Sequence, residues 1–213
     1  MGLREEIMRT NILRLMAAAC FLAWPGPAKN LPRPVQIPPG EGDVTVYVAH
    51  ACRMPEAVQK IAEDTVSVLF ERIGISVRFT STEPAQTDTE TIALRVWERA
   101  PGGLQPHVLG SAWMDRKHGR QANVFYDRLT EFYGDSGLQE TGRILGYAIA
   151  HEMGHVLRAD SGHSYGVMKA CWRQRDIMPM LQQSVGFTRA DAERIHAMMA
   201  ERRRLVLARE EEN

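Results

Sequence analysis

From Asp43 onward the apolar and polar positions fall into regular periods. Val44, Val46 and Val48 alternate with Thr45 and Tyr47, a β-branched and aromatic run that predicts a strand over Val44–Val48. Between Pro55 and Ile73, apolar residues recur three and four apart (Val58, Ile61, Ala62, Val66, Leu69, Phe70, with Thr65 among them), as one stripe of a helix does. Gly74 ends that pattern, and Ile75, Val77 and Phe79 then alternate as a half-buried strand. Thr91–Val96 reads as a third strand. Val108–Met114 and Ala122–Tyr126 read as a fourth and fifth, separated by the polar segment Asp115–Gln121. A long helix is expected over Leu138–Leu157, with Ile144, Leu145, Ala148, Ile149 and Met153 on its apolar side. After an irregular stretch, Thr188 supplies an N-cap to a last helix that keeps Ala192, Ile195, Met199 and Arg203 in register. One twisted mixed sheet of about five strands, backed by three main helices, buries these faces most simply and predicts an α/β (α+β) fold.

The residues before Asp43 read differently. Arg9 and Arg14 precede an apolar run from Leu15 to Trp24 that is too short to span a bilayer. Gly26-Pro27-Ala28 follows as a small-residue cleavage site. Residues 1–28 are therefore read as a signal peptide, 29–42 as an extended Pro/Gly-rich leader and 43–213 as one domain, which places the mature protein outside the cytoplasm. Two rivals are weaker. Cys20 could carry a lipid anchor, although Arg14 leaves little apolar chain before it. The segment could also stay uncleaved and give transient membrane association.

Composition narrows the partners. The 213-residue chain carries 26 Lys plus Arg and 26 Asp plus Glu, so no net charge favours nucleic acid as a partner. A monomer acting on a protein or peptide is expected. Without Cys20, Cys52 and Cys171 remain, and a disulfide between them and two separate thiols are both open in an oxidising compartment.

The chemistry concentrates in His151-Glu152-Met153-Gly154-His155, an H-E-x-x-H sequence within the long helix. Residues four apart share a helix face, so both imidazoles can bind one Zn2+. Glu152 can then reach an activated water as general base without binding the metal. A catalytic zinc needs a third protein ligand and an open position. His163, after the turn-forming Asp160-Ser161-Gly162, is the leading candidate, with Gly162 expected to do the turning. Asp160 sits at the fraying helix end, Asp176 has no evident helix around it, and Glu193 is the best carboxylate rival. Tyr165 is a possible support for the oxyanion of a tetrahedral intermediate. Trp172 is expected to pack beneath the loop, and His50, His107, His118 and His196 lack metal-ligand spacing.

Taken together, His151-Glu152-x-Gly154-His155-x-Leu157, His163-Ser164 and Gly166-Val167-Met168 resemble the metzincin clan of zinc metalloproteases, especially its matrixin-like branch. The layout is also similar to that of small exported bacterial proteins with a tryptophan in the place of Trp172. The resemblance implies Met168 as the methionine of a tight turn beneath the metal, and Val108–Met114 as the cleft strand that pairs with extended substrate. Two positions depart from the clan. Arg158 stands where a glycine usually lies, and Ser161 stands where the third ligand usually lies, two residues before His163. The resulting expectation is an exported zinc-dependent endopeptidase. The alternative is a catalytically silent, zinc-stabilised binding module, which would have no need of Glu152.

Overall fold

In a computed structural model, residues 43–50, 52–85, 91–115, 119–133 and 137–211 are described. The segments read as signal peptide and leader lie outside them, as does His118. The strands are β1 (Asp43–His50), β2 (Ser76–Thr80), β3 (Ile92–Trp97), β4 (Gly110–Asp115) and β5 (Gly119–Phe125). The helices are α1 (Glu56–Glu71), α2 (Tyr126–Tyr133), α3 (Leu138–Arg158), α4 (Gln174–Leu181) and α5 (Arg189–Glu211), with a 3-10 turn at Gly166–Met168. The sheet runs β2-β1-β3-β5-β4. All its pairings are parallel except that of β4, which lies antiparallel to β5 at one end. This is the α/β mixed sheet expected from the periodicity.

The alternation along the strands sets the layering. Val44, Val46, Val48, Ile92, Leu94, Val96, Ala122 and Val124 are buried and join the core with the apolar stripes of α1 and α3. Arg95 and Trp97, one residue out of phase in β3, are exposed. Helix α3 is the centre of the domain, touching α1, α2, α4, α5, the 3-10 turn and strands β3, β4 and β5. Its approach to α1 requires bare backbone, because a Cβ on Gly146 would lie 2.6 Å from Thr65 Cβ and 2.8 Å from the Ala62 carbonyl. The sheet and α1 thereby fix the axis of α3, and with it the side chains one turn further along.

The structure departs from the periodicity in four places. Asp115 and Gly119–Gln121, within the polar segment, belong to β4 and β5, with Trp113 opposite Gln121 and Met114 opposite Arg120. An antiparallel pair at a sheet edge is held by backbone hydrogen bonds and tolerates polar side chains, so its polarity imitates a turn. Helix α2 follows β5 without a break and, among its described apolar residues, buries only Leu129, so it carries no helical period of its own. Helix α4 surrounds Asp176 and is masked by an internal Pro179. Asp176 caps it by accepting from the Arg173 N–H at 2.7 Å. Finally, α3 ends at a left-handed Ala159 (φ 56°), whereas Gly162 keeps an ordinary φ. Elsewhere the expected ends hold: the Thr188 hydroxyl accepts from the Asp191 N–H at 3.2 Å while Asp191 accepts from the Thr188 N–H at 3.1 Å, a capping box at the start of α5.

Candidate metal centre

Helix α3 presents His151 and His155 one turn apart on the same face. Each ring is oriented from behind by a carbonyl: His151 Nδ1 lies 2.7 Å from the Val167 oxygen and His155 Nδ1 lies 2.9 Å from the Asp160 oxygen. A carbonyl only accepts, so each Nδ1 carries the proton and each Nε2 presents a lone pair. Burial, followed by the neighbouring His155, pushes the His151 pKa down to about 3. Burial pushes that of His155 down to about 4, so both rings are neutral near pH 7. The two Nε2 atoms then face each other at 3.1 Å, lone pair towards lone pair, an arrangement that a shared cation relieves.

His163 completes the cluster from the loop after α3. Its ring stacks on that of His151 at 5.4 Å and meets that of His155 edge-on at 4.9 Å. One ring nitrogen from each of the three histidines falls within 4.8 Å of the others, a spacing at which they could hold a metal ion. His163 itself is exposed, and desolvation lowers its pKa as well. Trp172 lies edge-on to His151 at 5.7 Å and to Tyr147 at 6.4 Å. Trp172, expected beneath the loop, thus meets two rings of α3.

Glu152 is buried, and desolvation pushes its carboxyl up to about 8. Three neutral imidazoles beside a buried carboxyl form a donor set that lacks only positive charge. The carboxyl lies against β4, where a Cβ on Gly110 would come within 2.7 Å of Glu152 Oε1 and 2.5 Å of the Asn123 carbonyl. Gly110→Ala is therefore expected to shift Glu152 or the edge strand. Overpacking of this kind costs about 1–3 kcal/mol, checked by urea unfolding of the purified variant.

The 3-10 turn supports the histidines from below. Met168 is fully buried, and a Cβ on Gly154 would stand 2.4 Å from its sulfur, so the glycine within H-E-x-G-H makes room for the methionine. Gly166 has φ +66°, and a Cβ there would meet the Gly186 carbonyl at 2.1 Å, while the Val167 N–H donates to that same oxygen at 3.1 Å. Loop 183–186 is in turn anchored by Tyr147 Oη donating to Val185 (2.9 Å) and by Arg72 donating to Gln183 (2.7 Å). Gly166→Ala is expected to destabilise the fold by more than the left-handed backbone cost of about 1–2 kcal/mol, because the clash is with backbone. Since Val167 carries the carbonyl behind His151, the same variant is expected to weaken metal binding; thermal melting and metal titration check the two effects.

Two of the rival carboxylates are paired elsewhere and the third is exposed. Asp160 pairs with Arg158 at 3.2 Å and Arg194 at 2.5 Å, Asp176 pairs with Lys169 at 2.6 Å, and Glu193 is an exposed residue of α5. His196 is bound to the Ile73 carbonyl at 2.6 Å. Tyr165 is 72% exposed beside the site. Cys52 and Cys171 are not joined by a disulfide. The residues that sequence reasoning missed are Arg158, Asp191 and Tyr147. All three are buried polar groups on apolar helix faces, a signal visible only once burial is known.

Scanned against protein-family models and against curated proteins, the sequence matches none. Among solved structures, the fold is similar to that of a zinc-dependent peptidase from Methanocorpusculum labreanum (strain Z). The TM-score is 0.52 at 18% identity, covering 70% of this chain and 99% of that one. The likeness defines the fold alone. The chain is thus a mixed α/β domain with a zinc-peptidase-like fold, and it carries a histidine triad able to hold a metal ion.

Proposed function

We propose that this chain is an exported zinc-dependent endopeptidase of metzincin-like design, with His151, His155 and His163 as metal ligands and Glu152 as general base. The observation that carries the reading is the convergence of the His151 and His155 Nε2 lone pairs, with His163 joining them and a buried carboxyl alongside. Zinc suits an all-imidazole set of three with a fourth position left open. When bound, it supplies Lewis acidity, lowering the pKa of a water towards about 7 and polarising a carbonyl.

The chain's own groups do the rest. The carbonyls of Val167 and Asp160 hold the imidazoles in the tautomer that presents Nε2. Glu152 takes the proton of the attacking water and returns it to the departing amine nitrogen. Strand β4 ends the sheet beside Glu152, so its outer backbone groups can pair with an extended peptide. Tyr165, exposed and two residues after His163, is assigned the support of the developing oxyanion. Met168 supports the ligand helix through its contact with Gly154.

Metal analysis and peptide-library cleavage test the reading together. Stoichiometric zinc, cleavage abolished by a chelator and recovery on zinc addition are expected; cleavage indifferent to chelation would refute it. Export is proposed on the Arg9, Arg14 and Leu15–Trp24 pattern. N-terminal sequencing of the mature protein is expected to begin at Lys29.

A further inference from the structure

The loop that delivers His163 is exposed and extends two residues past the clan's usual ligand position, so packing alone does not hold it. Three buried or half-buried charges lie beneath it instead. Arg158, the last residue of α3, is 8% exposed at its side chain. Its Nη1 reaches Asp191 Oδ1 at 2.8 Å and its Nη2 reaches Asp160 Oδ1 at 3.2 Å. Each of these carboxylates grips one neighbour of His163. Asp160 Oδ1 accepts from the Gly162 N–H at 2.9 Å, and Asp191 Oδ2 accepts from the Ser164 hydroxyl at 2.7 Å. Asp191, 3% exposed, also receives the Thr188 hydroxyl at 2.6 Å, which seats it in the first turn of α5. The Ser164 N–H donates to the Met168 carbonyl at 2.9 Å, joining the loop to the 3-10 turn.

We propose that Arg158, Asp160 and Asp191 are positioning residues that fix His163 as the third ligand, so that α5 is mechanically part of the metal site. The inference rests on the reading of His163 as a zinc ligand. Arg158 stands where the clan usually has a glycine. A glycine there would end the helix early; an arginine lets it continue to residue 158 and then spans two carboxylates on either side of the longer loop. A planar guanidinium can serve both at once, whereas an ammonium is a single point of charge. Loss of supports of this kind, behind the ligands, typically costs a metal site about 10- to 100-fold in affinity.

Zinc affinity, measured on the full chain by competition with a chromophoric chelator, tests the proposal. His163→Ala sets the scale for loss of the third ligand. Asp191→Ala is expected to weaken zinc about 10- to 100-fold. Ser164→Ala removes one bond of the same chain while leaving the α5 capping box intact, and is expected to weaken zinc in the same direction. It decides the matter should Asp191→Ala fail to fold. In the double variant Ser164→Ala/His163→Ala the affinity is expected to equal that of His163→Ala, because the Ser164 hydroxyl steadies the site through that neighbouring ligand. The visible spectrum of the cobalt-substituted Asp191→Ala protein is expected to match that of cobalt-substituted His163→Ala. A lowered melting temperature with unchanged zinc affinity in Asp191→Ala and Ser164→Ala would mean a structural role only and overturn the proposal. So would losses that multiply in the double variant. Wild-type affinity in His163→Ala would instead overturn the third-ligand reading itself.

Discussion

Glu152→Gln is expected to lower kcat/KM for peptide cleavage about 100- to 10,000-fold, the range that a positioned general base supplies. Its zinc content is expected to stay at the wild-type level. The size follows from the place of the carboxyl. It follows the first ligand on the same helix, is buried, and is pressed against β4 at Gly110, so its position is fixed by packing. Glutamine preserves shape and hydrogen-bonding capacity but has no basic oxygen able to take a proton. Parallel measurement of cleavage rate and bound zinc checks this. A variant with wild-type turnover would remove Glu152 from the chemistry, and one that lost zinc would make the residue a support of the site.

The second large effect is on stability. A metal that binds only the folded chain stabilises it by mass action, by about 4 kcal/mol when free zinc stands about 1,000-fold above its Kd. For a domain of this size, chelation is then expected to lower Tm by about 8–16 °C. The chelated protein should also be squeezed from both sides in pH. The His151 and His155 pKa values, depressed to about 3 and 4, give stability that is full above the ordinary histidine value of 6.5. That contribution is lost as pH falls from there towards 4 and 3. Glu152, raised to about 8 from 4.5, has the opposite sign: its contribution is full below 4.5 and is lost as pH rises through 8. Chelated Glu152→Gln is therefore expected to melt above chelated wild type beyond pH 8, with the difference closing near pH 4.5. Calorimetry in excess chelator across that range is the check; equal melting above pH 8 would mean that Glu152 is not desolvated.

Much of this protein was legible in its residues alone. Strong periods, two for Val44–Val48 and three to four for α1 and α3, place strands and helices because burial of one face leaves no alternative register. The H-E-x-x-H spacing places two imidazoles and a carboxylate by helix geometry without reference to the rest of the chain. The exceptions share a cause: β4 and β5 around Asp115–Gln121, and helices α2 and α4, are short or solvent-edged. Their stability comes from neighbours and not from a pattern of their own.

The tertiary structure decided what spacing could not. His163 joins His151 and His155 only because Arg158, Asp160 and Asp191 tie its loop to a helix that starts 26 residues later. The carbonyls that choose the histidine tautomers come from Val167 and Asp160, and the room for Glu152 comes from Gly110 on another element. The glycine between the paired histidines acquires its reason only when Met168 is found beneath it. Local sequence determines what each helix and strand can offer, since turns and periods act within a few residues. Which offers meet is set by long-range packing and buried charge, and those depend on the whole chain at once.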